Sequence, residues 1–208
     1  MDGDGPVDSV LIQMPGEFSN PVHNGSMSTP VDSTFRVEFV CTGNICRSPM
    51  AEVVFRRFAE SVGLGDRVQS RSAGTGDWHV GERADPRTVA ALERRGYDGS
   101  LHRARQFDPA DFAVNDLIVA LDSTHARVLR QLAPTEADAA KVHLLTAFDP
   151  EATGPDVSDP YYAGPEMFDD VLGMIERACR SLFRQLEPAL RTTTRHASSP
   201  DADPIGDP

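Results

Sequence analysis

Apolar residues recur along this chain in two periods, and the switching between them predicts its architecture. Phe35 to Val40, Leu117 to Leu121 and Val142 to Leu145 are short runs dominated by aromatic and aliphatic residues with few charges, the form taken by strands covered on both faces. Arg67 to Ala73 reads as a further strand, second in chain order. Between these runs the spacing changes to three and four. Met50, Val54, Phe58 and Val62 fall on one helical face with Phe55 beside them, and Phe168, Val171, Leu172, Ile175, Cys179, Leu182, Phe183 and Leu186 form a broad stripe near the end.

Punctuation supports the same division. Ser48 is placed to cap the first helix and Pro49 to open it, with a stop at Gly63. Asp85-Pro86 opens a helix that runs to Gly96, Asp108-Pro109 opens another, and Asp122 or Ser123 caps one that continues to about Leu132. Four strands alternating with about five helices predict a single α/β domain. Its sheet is four-stranded and parallel, with right-handed crossovers. In such sheets ligands sit beyond the carboxyl ends of the strands, where the direction of connection reverses. The first strand, about 35–41, ends there in Cys41.

Outside residues 35–190 the patterning stops. Residues 1–34 are rich in Gly, Pro, Ser, Asn and Asp and read as a disordered arm, and residues 191–208 as a disordered tail. The formal charge of the 208-residue chain is −12; the arm carries −5 and the tail −1, leaving −6 on the domain. Nucleic acid and anionic membrane are poor partners for such a chain, so an anionic substrate has to be held by a local site. Three cysteines exclude a disulfide framework. No apolar run is long enough for a membrane span, and Asp2, Asp4 and Asp8 stand where a signal peptide would be positive. A monomer in the cytoplasm is the expectation.

The stretch FVCTGNICRSPMAE at 39–52 carries the chemistry. A phosphoryl group has three non-bridging oxygens, and the loop Thr42, Gly43, Asn44, Ile45, Cys46, Arg47 is of a length to curl around them with its amides aimed inward. Gly43 and Asn44 tolerate the backbone angles a curl needs. Arg47 can pair with two oxygens at once, and Ser48 can donate to an ionised Cys41. A helix N-terminus beneath favours anions.

This string resembles the active-site signature of the low-molecular-weight protein-tyrosine phosphatases, and of their actinobacterial members most. The similarity covers about residues 36–187, with SAGTGDWHVG at 72–81, DPRTVAAL at 85–92, HRARQ at 102–106, LIVALD at 117–122 and DPYY at 159–162. It implies a flavodoxin-like, phosphotyrosine phosphatase I-type fold and hydrolysis of phosphotyrosine and small aryl phosphates without metal or cofactor. By the resemblance Cys41 is the nucleophile, Arg47 the phosphate-binding arginine, Ser48 the thiolate-stabilising hydroxyl and Asp159 the general acid. Trp78 and His79 with Tyr161 and Tyr162 form the substrate cleft, and Asn44, His102 and Ser72 support the loop. Phosphotyrosine-containing proteins are the implied partners, and a tyrosine kinase the enzyme acting opposite.

Some readings stay open. Asp149, Asp156 and Asp169 lie near Asp159 and rival it for the acid. Cys46 is either a redox partner for Cys41 or a small packing residue, and Cys179 belongs to the packing of the last helix. A thioredoxin-coupled arsenate reductase would share the loop, but residues 80–125 lack the relay cysteines. A silent phosphotyrosine-binding module would be expected to have lost Cys41 or Asp159. Walker and zinc sites fail for want of Gly-Lys-Ser/Thr and of ligands.

Overall fold

The computed structural model of the protein describes residues 34–195. Four strands, β1 (Phe35–Cys41), β2 (Val68–Gly74), β3 (Leu117–Ala120) and β4 (Val142–Leu144), make one parallel sheet in the order β2-β1-β3-β4. The chain leaves β1 for β2 on one side and returns for β3 on the other, so the reversal falls at the end of β1. The predicted topology is the one observed.

Among the described residues six α-helices connect and flank the strands: α1 (Arg47–Ser61), α2 (Pro86–Arg94), α3 (Asp111–Val114), α4 (Ser123–Leu132), α5 (Glu136–Ala139) and α6 (Pro165–Arg195). The additional one, α5, is a single turn capped by Thr135, too short to show a helical period. The helix opened by Asp108-Pro109 likewise shrinks to the four residues of α3.

Strand alternation divides the interior. Val40, Ile118 and Ala120 pack with Phe107, Phe112, Ala126 and Leu129, while Phe39 meets Phe55 of α1, which meets Phe183 of α6. The long stripe of α6 is buried from Phe168 to Leu190, including Cys179. That helix continues past residue 190, where the sequence suggested a tail, and runs through Pro188 to Arg195. A Leu190 anchor and an Arg191–Glu187 ion pair one turn apart hold the extension. Apart from Thr34, the arm read from the sequence lies outside the described residues, as does the tail beyond Arg195.

Two capping expectations had different outcomes. Asp85 and Asp122 cap α2 and α4, each accepting from a backbone amide in the first turn. Ser48 does not cap α1: the helix starts one residue before it, Cys46 stands at the cap position, and no side chain takes the first amides. The Ser48 hydroxyl is turned to Cys41 instead.

A carboxyl lies within the core. Glu38, in the middle of β1, is fully buried between Arg105 and the Asn115 amide. Burial raises its carboxyl to about 7, outweighing the Arg105 guanidinium that favours the charged form. Between the ordinary value of 4.5 and about 7 the native state therefore holds a proton that the unfolded chain has lost, so raising the pH through that window weakens the fold. Urea unfolding of wild type and Glu38→Gln should diverge as the pH rises from 5 to 8, the variant gaining up to about 3 kcal/mol on wild type. A constant difference across that range would contradict the assignment.

Candidate active site

At the end of β1 the chain turns through Thr42–Cys46 into α1, with Asn44 held at φ 55°, a left-handed conformation in which Asn is among the commoner non-glycine residues. The loop carbonyls all but one point to partners outside it. Cys41 O accepts from Thr75 N at 2.8 Å, Thr42 O from Gly76 N at 2.9 Å, Ile45 O from Asp85 N at 2.9 Å, and Cys46 O from Met50 N at 3.3 Å. Asn44 O accepts from His102 Nε2 at 2.6 Å, which fixes the imidazole proton on that nitrogen because a carbonyl can only accept. Burial holds His102 below its ordinary value, so the ring is neutral at neutral pH. Among the described residues no backbone amide from Gly43 to Ser48 donates to a protein acceptor. Carbonyls outward and amides unengaged is the arrangement of an anion nest at a helix N-terminus.

Asn44 is saturated behind this loop. Its Nδ2 donates to Ser48 Oγ and Ser72 Oγ, both at 2.9 Å, and its Oδ1 accepts from Arg105 N at 2.9 Å. Ser72 donates onward to Glu52 Oε2 at 2.6 Å. Ser48 Oγ lies 3.0 Å from Cys41 Sγ and 3.2 Å from Ala73 O, and its single hydrogen can serve only one. An ionised sulfur cannot donate, so that hydrogen turns to the sulfur when Cys41 is a thiolate. The loop after β2 fits closely: a Cβ on Gly74 would stand 2.6 Å from Thr42 O, and one on Gly43 2.8 Å from the His79 ring.

Arg47 is buried, 2% exposed, and joins the loop to two distant segments. Its Nη1 donates to Asp122 Oδ2 at 2.9 Å and Val157 O at 3.0 Å, and its Nη2 to Asp159 Oδ2 at 2.7 Å. Its buried Nε has no protein partner among the described residues. Burial alone would raise the Asp122 carboxyl, but the His125 ring and amide and the Arg47 guanidinium outweigh it and hold it well below the usual carboxylate range. A pocket of about 340 Å³ opens above, lined by the loop, Arg47, Trp78, His79, Asp159, Tyr161 and Tyr162. Trp78 and Tyr162 are 71% and 97% exposed, so they are rims of a mouth more than walls of a cavity. Every residue expected in the cleft lines it, and Ser72 and His102 lie behind the loop, where a supporting layer was expected.

The rival aspartates separate cleanly. Asp149 is buried against Arg177, Asp169 pairs with Arg94, and Asp156 takes the amide and hydroxyl of Ser123. Only Asp159 reaches the pocket. Three contributors were not singled out from the sequence: Asp122, read only as a cap; His125; and Arg87, which donates to Ala163 O and Tyr161 O at 3.0 Å each and lies over the Phe168 ring. The DPR string held the signal for Arg87, but its targets are more than seventy residues away.

A doubly wound sheet carrying a buried thiol, an amide nest and an arginine at the start of its first helix defines a cysteine-dependent phosphatase. The family model for low molecular weight phosphotyrosine protein phosphatase matches residues 36–192, and the chain belongs to that family. It is similar to the low molecular weight protein-tyrosine-phosphatase of Streptomyces coelicolor, 58% identical over 152 residues that are 72% of this chain and 92% of the relative. It is also similar to the low molecular weight protein-tyrosine phosphatase A of Mycobacterium tuberculosis, at 48% over 166 residues, 79% and 96% of the two chains. Among solved structures, a protein tyrosine phosphatase from Entamoeba histolytica superposes with a TM-score of 0.72 at 33% identity, covering 75% of this chain and 99% of that one. The protein is therefore an enzyme, a phosphotyrosine phosphatase, as the resemblance implied, and neither the arsenate reductase nor the silent module.

Removing Arg87 cuts both carbonyl contacts that hold the turn after Asp159. Arg87→Ala should lower kcat/KM for an aryl phosphate roughly tenfold, while the fold survives. Steady-state kinetics beside a melting curve check this; unchanged kinetics would show that α6 alone positions the turn.

Proposed function

We propose that this phosphatase works through a phosphocysteine on Cys41. The Cys41 thiolate attacks phosphorus, the bond to the phenolic oxygen breaks, and Asp159 gives that oxygen its proton. Asp159, now a carboxylate, takes a proton from water as the water attacks phosphorus; the sulfur–phosphorus bond breaks, phosphate leaves, and Cys41 is a thiolate again. The amides of residues 43–48 and the Arg47 guanidinium hold the equatorial oxygens throughout.

The observation that carries this reading is the set of unengaged loop amides beside the unpartnered Nε of Arg47, since buried donors without acceptors are costly unless an anion takes them. The contact between Arg47 and Asp159 adds a constraint. A phosphate arriving at Arg47 competes with Asp159 for Nη2, which frees the carboxyl for the leaving group. Trp78, His79, Tyr161 and Tyr162 give the mouth an aromatic rim suited to a phenyl phosphate, whose phosphorus stands farther from the peptide backbone than that of phosphoserine.

For Cys46 the reading is a slow redox guard: an oxidised Cys41 sulfenic acid condenses with the Cys46 thiol to a disulfide and water. Burial pushes the Cys46 thiol up to about 12, so the attacking thiolate is scarce at neutral pH. We place the enzyme in the cytoplasm as a monomer, opposite a tyrosine kinase, because a free-thiol mechanism needs a reducing compartment; its three cysteines are unpaired.

Turnover of p-nitrophenyl phosphate in the presence of a chelator should vanish in Cys41→Ser. It should fall roughly 10²–10⁴-fold in Asp159→Ala for phenols that are poor leaving groups, and less for better ones. Full activity in Cys41→Ser would end the thiol mechanism. After mild peroxide, reductant should restore wild type but not Cys46→Ala; equal recovery would remove the redox role.

A further inference from the structure

Beside the loop lies a histidine that the mechanism above does not use. His125 is the third residue of α4, and its backbone amide completes the Asp122 cap at 2.9 Å. Its ring, 2% exposed, leaves the helix toward the loop, where Nε2 lies 2.8 Å from Thr42 Oγ1. Nδ1 stands 3.0 Å from Asp122 Oδ1, yet off the direction of a hydrogen bond, so this nitrogen faces the carboxyl group but has no bonded partner among the described residues. Asp122 Oδ2 in turn holds Arg47 Nη1, and Arg47 Nη2 holds Asp159. Thr42 itself is exposed and lines the pocket.

We propose that His125 is a positioning residue for phosphoryl transfer: it clamps the Thr42 hydroxyl at the pocket floor and ties that end of the loop to the Asp122–Arg47 pair. Two elements that must move together then share one ring. The first loop amides follow Thr42 and the guanidinium follows Asp122, and both must track the phosphoryl group as it flattens. An aliphatic side chain would fill the same space and leave the Asp122 cap intact, because the cap is made by backbone. The hydroxyl would then be free to rotate and Asp122 would lose the ring beside it. A buried polar ring with one bonded nitrogen is a poor choice for packing alone.

The proposal rests on the phosphatase reading, and the two fail differently: if that reading is wrong, wild type does not turn over aryl phosphate at all. The test is a double-mutant cycle on kcat and KM for p-nitrophenyl phosphate, using Thr42→Val, His125→Leu and the pair, with Thr42→Ser and His125→Gln as conservative controls. Each of Thr42→Val and His125→Leu should lower kcat roughly five- to tenfold with a smaller change in KM, the size of one lost hydrogen bond. The double variant should be no slower than the slower single, and Thr42→Ser and His125→Gln should keep most of the activity. Multiplying losses in the double variant would overturn the coupling. If His125→Leu fails to fold, the exposed Thr42→Val still decides: wild-type kcat in that variant would overturn the proposal.

Discussion

A backbone that turns its amides toward one point must turn its carbonyls away, and in a buried loop each carbonyl then needs a donor. That constraint organises the active-site end of this protein. The loop after β2 supplies Thr75 and Gly76, the start of α2 supplies Asp85, and the segment before α3 supplies His102 and the Arg105 amide. Three separate stretches of chain thus end at the same six residues. The left-handed turn at Asn44, which costs roughly 1–2 kcal/mol in a side-chain-bearing residue, is held by bonds at its amide group and its carbonyl. The site is preorganised because the loop cannot relax without orphaning several buried groups at once.

Arg47 is the second organising point, and it works by charge. On a chain of net charge −12 a phosphate is repelled at long range, so attraction has to come from a buried cation and inward dipoles close by. Two acidic side chains, Asp122 and Asp159, hold that cation in the fold before substrate arrives. They are not equivalent. Asp122 is fixed as the cap of α4 and sits against His125, whereas Asp159 is 47% exposed on a loop pinned at Asp156 and Val157. The fixed carboxylate orients the guanidinium; the exposed one can leave it.

Much of this was legible in the residues. The strand and helix periods placed Cys41 at the sheet's reversal point, and the string around it carried the nucleophile, the arginine and the hydroxyl, because all of them lie within eight residues and obey local geometry. Ser48 shows the limit of local rules. A serine at the start of a helix reads as a cap, but here the cap would consume amides that the anion needs, and the hydroxyl serves the sulfur instead. Asp122 shows the converse, a correct cap whose second oxygen does the work of the site.

The sequence by itself determined the order of elements, the position of the reactive loop and the family, since these depend on short-range periodicity and on residues close along the chain. Only the tertiary structure decided which of four neighbouring aspartates between 149 and 169 meets Arg47, that Arg87 holds the turn beside it, and that His125 lies between Thr42 and Asp122. Those pairings span 3 to 112 residues along the chain and hold only where the parallel sheet brings the ends of β1 and β3 side by side. Hydrogen-bond partners at such separations leave no periodic trace, because the entropy of closing the intervening chain is met by the packing of the whole sheet.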